Sequence, residues 1–458
     1  MPYSREKASK GGHSDLVKNP AVAAFLLDCE FMRPPTEAEA KAIASTYLPA
    51  PTLNYSPKKT AASDASPYSE PLDGKFPSTQ VGYVKVSLVL INSRDYDGLT
   101  PPGSRFVDPF KLAELHRNAD AFSFVLPGSN IRYRNAASVQ DGFRQAVWEQ
   151  LSDERTRLST NPEFTVRGTL LALDDGVVGL KRCPSCGQGS PQGATADKFS
   201  FTVGNEVQQC PDCRATVYLT DSLRIHEQIT DYGDCSSAVT RFMNAAEQLL
   251  MATLIRMLAH SVPKALSEMA FIMDGPLAVF GQPASISFSL VKLYHQIGQE
   301  LQRRGLPPPV IIGLQKDGQV MEHARALEPF LPEDTYRVVD DDYRNRYINA
   351  VNNDNFGTET YFGQDFIFKS GKGRIFTVGI PYPASKKSGT KEFSILKSDV
   401  ARYGDQLAKA FDVIRYFELD LYDNAVVPVA LAHRHASISL MPGGKVLELV
   451  TRHGLGLA

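Results

Sequence analysis

The sequence contains no uninterrupted apolar run long enough to cross a bilayer, so we expect no transmembrane helix. Residues 1–20, MPYSREKASKGGHSDLVKNP, are polar and lack the apolar core of a signal peptide. We therefore expect a cytoplasmic protein without a membrane partner. A strong excess of one charge is also missing, because 49 Lys and Arg residues are balanced by 51 Asp and Glu residues. The chain as a whole does not attract nucleic acid, so any such contact needs a local basic groove, bound metal or a partner.

Cysteine is scarce, with six in 458 residues, but its spacing is informative. Two CxxC pairs, separated by a stretch of loop length, can each direct two thiolates at one ion and complete a tetrahedral site. The four candidate zinc ligands are Cys183, Cys186, Cys210 and Cys213. Because four protein ligands leave no open position, we expect this Zn²⁺ to be structural. A redox dithiol needs only one pair, so the second pair argues against it.

The pattern of apolar residues predicts an α/β fold in which helices cover a sheet. We expect a helical and loop-rich N-terminal extension over residues 1–70, a main domain over 71–458 and a zinc ribbon inserted at 181–218. Within the extension, Pro20–Met32 is predicted to be helical and Leu48–Pro71 to be loop. The predicted strands are Val81–Ile91, Leu170–Leu180, Met269–Met273 and Val310–Leu314. The predicted helices are Ala137–Thr160, Ser236–His260, Phe288–Arg304 and Ser398–Leu419.

Two acidic residues stand at predicted strand ends, each followed by glycine. Asp73 precedes the strand at Val81–Ile91, and Asp274 ends the strand at Met269–Met273. Carboxylates at sheet edges can converge on Mg²⁺ or Mn²⁺, which take oxygen ligands. A third candidate is Glu247, on the flank of the apolar stripe of the helix Ser236–His260. Taken singly, each Asp-Gly pair is more often a turn, and a helix glutamate more often faces solvent.

Several segments in a fixed order resemble the NurA nuclease family. They are LDG before a strand, the helix MNAAEQLLMATLIRML, then FIMDGPLAVFG, IIGLQKDGQVMEHARAL and VVPVALAHRHASISL. The CxxC ribbon followed by YLTDSLRIHE is similar to the bacterial form of that family. The resemblance extends from about Leu72 to the C-terminus.

This resemblance implies an RNase H-like (PIWI-like) mixed sheet flanked by helices. It also implies a Mn²⁺- or Mg²⁺-dependent deoxyribonuclease with 5′-to-3′ exonuclease and single-strand endonuclease activity. The family acts on DNA as a homodimer bound to the HerA-type hexameric ATPase, and the two together resect DNA ends. Carried over by motif, the metal-binding acids are Asp73, Glu247 and Asp274, and the catalytic histidine is His433.

The last motif departs from the family, which has a tyrosine and a histidine close together there. His433 is the best local match, and His435 fits an alternative spacing from Pro428. Val427 occupies the place of the tyrosine, and Tyr422 lies five residues earlier as a substitute. A helix opened by Pro428 would direct the two histidines to different faces, so that only one reaches the metals.

Other polar groups have open interpretations. Lys316 either reaches a scissile phosphate or lies on the surface. The acidic run Asp340–Asp342 has metal-ligand capacity but is typical of a solvated loop. The residues Asp221, Arg224 and His226, just past the ribbon, are interpreted as structural or partner-facing.

Two other classes of function compete with the nuclease. One is a non-catalytic scaffold subunit of an ATPase complex, which the missing tyrosine favours and the intact acids oppose. The other is a zinc-ribbon nucleic-acid binding protein, which the nearly balanced charges of residues 181–214 oppose.

Overall fold

The computed structural model describes residues 14–29, 31–73, 76–99, 108, 111, 119–190, 197–349, 351–419, 426–438, 447 and 450–453. The strands in this part of the chain are β1 Leu48–Pro49, β2 Lys59–Asp73, β3 Phe76–Asn92, β4 Ala119–Pro127, β5 Val178–Leu180, β6 Phe199–Phe201, β7 Val207–Gln209, β8 Thr216–Tyr218, β9 Met269–Asp274, β10 Val310–Gln315, β11 Thr335–Val338, β12 Gly363–Lys369 and β13 Ile375–Pro381. The α-helices are α1 Ser14–Val17, α2 Pro20–Leu27, α3 Glu37–Ala44, α4 Ser93–Asp97, α5 Val139–Ser152, α6 Val166–Leu173, α7 Ser236–Ser261, α8 Pro263–Leu266, α9 Ile286–Arg303, α10 Gln319–Leu327, α11 Asp341–Tyr347, α12 Lys391–Ser398, α13 Asp405–Phe417 and α14 Val427–Ala436. None of the helices in these residues is long and apolar enough to cross a membrane.

One nine-stranded mixed sheet organises the molecule, in the order β1-β11-β12-β13-β10-β9-β2-β3-β4. The central strand β9 pairs in parallel with β10 and with β2. The remaining neighbours pair antiparallel. The parallel centre explains why Met269–Met273 is apolar at every position, since helices bury both faces of such strands.

Helices cover both faces of the sheet. Successive residues of a strand face opposite sides, and accordingly Ala61 lies in one hydrophobic core and Ala62 in the other. The first core contains α5, α6, α7 and α9, and the second contains α13 and α14. A third cluster joins α3, α10 and α11 to β12 and β13.

The α/β class is confirmed, and most of the predicted elements are present. Strands β3, β9 and β10 and helices α2, α5, α7 and α9 lie where their apolar patterns place them. The helix predicted at Ser398–Leu419 is interrupted instead. A 3₁₀ turn at Val400–Tyr403 ends at Gly404, whose φ of 49° breaks the helix before α13 begins.

Two predictions about local structure are wrong. Leu170–Leu180 is not one strand, because Thr165 caps α6 by accepting a hydrogen bond from the Gly168 amide, and the helix runs to Leu173. The segment Leu48–Pro71 is not a loop, because it contains β1 and most of β2. A boundary at residue 70 therefore cuts through a strand of the main sheet, and the main domain includes residues that we expected in the extension.

Candidate functional site

The site forms where two parallel neighbours of the sheet, β2 and β9, stop pairing. Their register ends at Ser63 opposite Met273, and the next residues of the two strands are Asp64 and Asp274. After Asp274 the chain turns sharply, since Gly275 has a φ of 112°, which favours glycine. The Gly275 amide donates to the Leu314 carbonyl and so ties the turn to β10. Both carboxylates consequently emerge on the face covered by α13 and α14.

Helix α14 brings a histidine to the same place. The predicted helix is present, with Pro428 in its first turn, and it packs on β2 and β3. His433 Nδ1 lies 2.8 Å from Asp64 Oδ2. Because a carboxylate only accepts, Nδ1 carries the proton in this contact and Nε2 is left for another partner. The imidazole is mostly solvent-exposed, so a substrate can approach it.

Three potential metal-ligand atoms, one each from Asp64, Asp274 and His433, lie within 4.8 Å of one another. Two carboxylates and an imidazole suit Mn²⁺, and the carboxylates suit Mg²⁺. The donor set therefore fits a hard divalent cation.

Glu247 lies beneath this cluster on α7 and faces inward, not toward solvent. Its side chain is buried and accepts a hydrogen bond of 2.7 Å from Ser63 Oγ. Burial, together with the negative charge of Asp64, raises the pKa of Glu247 to about 8. The charged form of this carboxyl is unfavourable on its own, and a bound cation would stabilise it.

Lys316 is part of the site and not a surface lysine. It follows β10, the neighbour of β9, and its Nζ lies 2.5 Å from Asp274 Oδ2. Burial raises the pKa of Asp274 to about 6, and the ammonium of Lys316 opposes that rise. The site therefore contains one positive charge, the Lys316 ammonium, even without a bound metal ion.

Asp73 is not brought together with Glu247 and Asp274, and this corrects our prediction. It lies at the far end of β2, where its backbone pairs with Phe76 at the hairpin. It lies nine positions after Asp64, which corresponds to roughly 30 Å along a strand. Asp64 occupies the position that we expected Asp73 to fill. The reason is that β2 starts at Lys59, thirteen residues before Leu72, where the segment that supplied the motif begins.

Asp64 was missed because its surroundings, TAASDAS, contain no large apolar residue. In the structure Ala61 and Ala62 are fully buried, since helices approach closely on both faces of β2. The sequence signal that could have identified Asp64 is a single acidic residue after a run of small residues.

The remaining C-terminal candidates are resolved in part. His433, and not His435, belongs to the cluster of ligand atoms. Val427 is buried at the start of α14. Tyr422 lies outside the described residues, so its suggested role stays a prediction.

The four cysteines of the ribbon also converge. Their Sγ atoms lie within 4.8 Å of one another, with Cys183 to Cys213 at 3.8 Å and Cys186 to Cys210 at 3.9 Å. A disulfide needs about 2.05 Å between sulfurs, so these contacts are not disulfides. Thiolates at about 2.3 Å from a tetrahedral Zn²⁺ are about 3.8 Å apart. The donor set and its spacing therefore fit zinc, on the frame of the hairpins β5-β6 and β7-β8.

One buried arginine links the ribbon, and the segment just past it, to α5. Arg144 of α5 contacts both carboxylate oxygens of Asp221, at 2.9 and 2.6 Å, and also donates to the Thr216 carbonyl in β8. Nearby, Arg224 pairs with Glu227, and burial lowers the pKa of His226. Asp221 and His226 are buried and have structural roles, whereas the exposed Arg224 can be structural or partner-facing.

In the acidic run Asp340–Asp342, which lies at the start of α11 and not in a loop, the first two residues have structural roles. Asp340 caps α11 by accepting from the Tyr343 amide, and Asp341 lies 2.8 Å from Lys397 Nζ. It is not among the clusters of potential ligands found in the described residues.

Comparison with known proteins assigns no family to the chain. No protein-family model matches the chain, and no curated protein matches it. Among solved structures, the NurA nuclease from Sulfolobus solfataricus is similar at 12% sequence identity and a TM-score of 0.32. That similarity covers 97% of this chain and 95% of the other. The function proposed below is supported by the site itself and by the motif order described above.

Proposed function

We propose that this chain is a divalent-metal-dependent deoxyribonuclease. The observation that carries the proposal is the convergence of Asp64, Asp274 and His433 above the buried Glu247, with Lys316 beside them. Carboxylates converging on divalent cations, with a cationic side chain nearby, are typical of phosphodiester hydrolysis. The order of motifs shared with the NurA family supports DNA as the substrate.

Each residue has a task that its position supports. Asp64 and Asp274 would hold Mn²⁺ or Mg²⁺, and the carboxyl of Glu247 would complete the donor set. A cation bound there would activate a water and stabilise the negative charge that develops on the phosphate oxygens. The Lys316 ammonium is placed to bind a non-bridging phosphate oxygen when it releases Asp274. The exposed edge of His433 can exchange a proton with the leaving oxygen through Nε2.

Asp64 and Asp73 lie on the same strand, β2, and so provide a matched test. Purified protein is incubated with labelled single-stranded and linear duplex DNA and Mn²⁺, and the cleavage rate is measured. We expect Asp64→Asn and Asp274→Asn to lower the rate at least ~100-fold, while Asp73→Asn leaves it nearly unchanged. The proposal fails if wild type shows no metal-dependent cleavage. The assignment of Asp64 fails if Asp73→Asn abolishes cleavage and Asp64→Asn does not.

The motif resemblance alone supports finer features of the proposal. They are 5′-to-3′ exonuclease and single-strand endonuclease activity, a HerA-type hexameric ATPase as partner, a cytoplasmic role in DNA end resection, repair or defence, and a homodimeric state. DNA delivery by a translocase suits a chain with a net charge of −2. Degradation of long duplex DNA by the protein with such an ATPase, with and without ATP, tests the partnership.

The alternative is a non-catalytic scaffold that binds the ATPase. Binding cannot separate the two functions, because both predict it. Metal-dependent cleavage that is lost in Asp64→Asn supports the enzyme. No cleavage, either by the protein alone or by its complex with the ATPase, supports the scaffold.

A further inference from the structure

A cavity lies at the end of the sheet that faces away from the candidate metal site. It is bounded by α9 on one face of the sheet and by the start of α13 on the other, where β10 begins and β13 ends. From Ile311 at this end to Lys316 at the metal site is roughly 17 Å along β10. The cavity volume is about 260 Å³, near the lower end of the range for small-molecule sites. The cavity is therefore separate from the metal site and has room for a small organic molecule.

The lining of this cavity is apolar with a positive edge. Four prolines form its walls together with aliphatic and aromatic side chains, among them Ile311, Ile380 and Tyr403. The basic residues of the lining are Arg402 and His295, and none of the described residues that line it is an Asp or Glu. Flat apolar walls with a few convergent polar groups are typical of sites for small ring compounds. The charge pattern favours a ligand that carries an anionic group.

The first turn of α13 supplies further donors for an anion. Gly404, the N-cap residue, has a φ of 49°, and no side chain caps this 13-residue helix. The first amides of a helix have no intrahelical acceptor, and together with the helix dipole they favour an anion. Gln406 of this turn and the neighbouring Arg402 both line the cavity. Arg402 is about half exposed and contacts Asp399 through Nε at 3.3 Å, which leaves the Nη groups of its guanidinium to bind an anion.

An unpaired hydroxyl in the cavity wall is the second sign of a ligand. Tyr294 of α9 lines the cavity, and only 7% of this residue is exposed. Its hydroxyl finds no hydrogen-bond partner in the described part of the chain. Buried hydroxyls normally have a partner, because an unpaired one is unfavourable. A polar group on a ligand in the cavity would provide the missing partner.

We propose that this cavity binds a nucleoside monophosphate, with the base between the proline and tyrosine walls and the phosphate at the start of α13 beside Arg402. The base supplies a flat ring and a polar edge that can pair with the hydroxyl of Tyr294, and the phosphate supplies the anion. The choice of a nucleotide over another aromatic anion rests on the proposed nuclease function, because exonucleolytic cleavage of DNA releases mononucleotides. The cavity is thus a product-binding site apart from the metal site.

Isothermal titration calorimetry of the full-length protein, without added Mg²⁺ or Mn²⁺, tests the choice of ligand. We expect dAMP and dTMP to bind with dissociation constants below ~1 mM. Deoxyadenosine and inorganic phosphate should each bind at least ~10-fold more weakly, because each lacks one half of the ligand. No binding of dAMP or dTMP overturns the proposal. Benzoate that binds as tightly as dAMP overturns the assignment to a nucleotide.

Substitutions at two exposed arginines test the position of the phosphate. Arg402→Gln should weaken dAMP binding at least ~10-fold, because it removes charge-assisted hydrogen bonds. Arg303→Gln is the matched control, since Arg303 is also exposed and paired with one carboxylate, and it does not line the cavity. We expect this control to bind dAMP as wild type does. Equal effects of the two substitutions would contradict the placement of the phosphate.

Two further substitutions test the cavity itself. Gly298 of α9 lines it, and a Cβ at this position would contact Pro308 at 3.6 Å without a clash. Gly298→Leu should therefore fill the cavity and abolish dAMP binding. Tyr294→Phe should weaken binding about fivefold without lowering the melting temperature, because the hydroxyl has no protein partner to lose.

Binding of dAMP that survives both Gly298→Leu and Arg402→Gln overturns the cavity as the site. None of these measurements involves cleavage, so their failure leaves the proposed nuclease unaffected. Conversely, a protein that binds dAMP in a Gly298-dependent manner but cleaves no DNA supports the cavity and contradicts only the nuclease.

Discussion

The buried carboxyl of Glu247 makes the stability of the metal-free protein depend on pH. Its pKa is about 8 in the folded protein against an ordinary value of 4.5. Between these values the folded protein retains a proton that the unfolded chain has released, so stability falls as the pH rises and the loss is complete above about pH 8. Each pH unit over which the proton is retained costs about 1.4 kcal/mol. The cost from Glu247 is therefore about 1 kcal/mol at pH 5 and nearly 5 kcal/mol at pH 9.

Replacing Glu247 by Gln removes this cost without removing the acceptor of the Ser63 hydrogen bond. We expect the free energy of unfolding of Glu247→Gln, relative to wild type, to increase by about 4 kcal/mol between pH 5 and pH 9. Urea titrations without added Mg²⁺ or Mn²⁺ measure it, with the fluorescence of Trp148, the single tryptophan, as the signal.

Glu322→Gln, on the exposed face of α10, is the control and should show no such trend. If the free energies of unfolding of wild type and Glu247→Gln differ by the same amount at every pH, the assignment of a buried, proton-retaining carboxyl is refuted. Adding Mn²⁺ to wild type should reduce the pH dependence, because the cation favours the charged carboxylate.

Three further predictions follow from other contacts. Cys210→Ser should lower the zinc content, measured by elemental mass spectrometry, well below one ion per chain and unfold the ribbon, because one thiolate ligand is lost. His433→Ala should reduce metal-dependent cleavage about 100-fold, whereas His435→Ala should reduce it only a few-fold; equal effects would contradict the geometry. Arg144→Met should destabilise the protein by about 3–5 kcal/mol in urea titrations, because it leaves the carboxylate of Asp221 buried and unpaired.

Long apolar patterns made most of the fold predictable. The helix α7 and the strand β9 each bury apolar residues at the spacing that their secondary structure requires, so the pattern and the packing agree. Strand β2 could not be predicted in this way. Its small residues Ala61 and Ala62 are selected by the close approach of helices on both faces, which is a tertiary constraint and leaves no periodic signal.

The candidate metal site shows how the same limitation affects the choice of residues. Asp274 lies at the predicted strand end because its strand is strongly apolar, and the glycine after it is required by a positive φ at the turn. Glu247 lies on the predicted helix because the apolar pattern of that helix is long and regular. The metal-binding roles of both residues stay predictions. The choice of Asp73 followed an identical Asp-Gly pattern, but that pattern marks the tip of a hairpin and not the edge of the central sheet.

What distinguishes Asp64 from Asp73 is the strand next to each. Asp64 directly follows the last β2 residue that pairs with β9. Its carboxylate therefore emerges beside Asp274, and the carboxyl of Glu247 lies beneath it. At the end of β2 that carries Asp73, the described part of the chain provides only the antiparallel partner β3. In the proposed site the two carboxylates meet because two parallel strands separate at the same level, and that condition depends on strand register. It follows that an acid placed at residue 66, on the same face of β2 but two residues farther along the strand, should not rescue metal-dependent cleavage in Asp64→Asn. Rescue by Ser66→Asp in that background would show that register does not set the site.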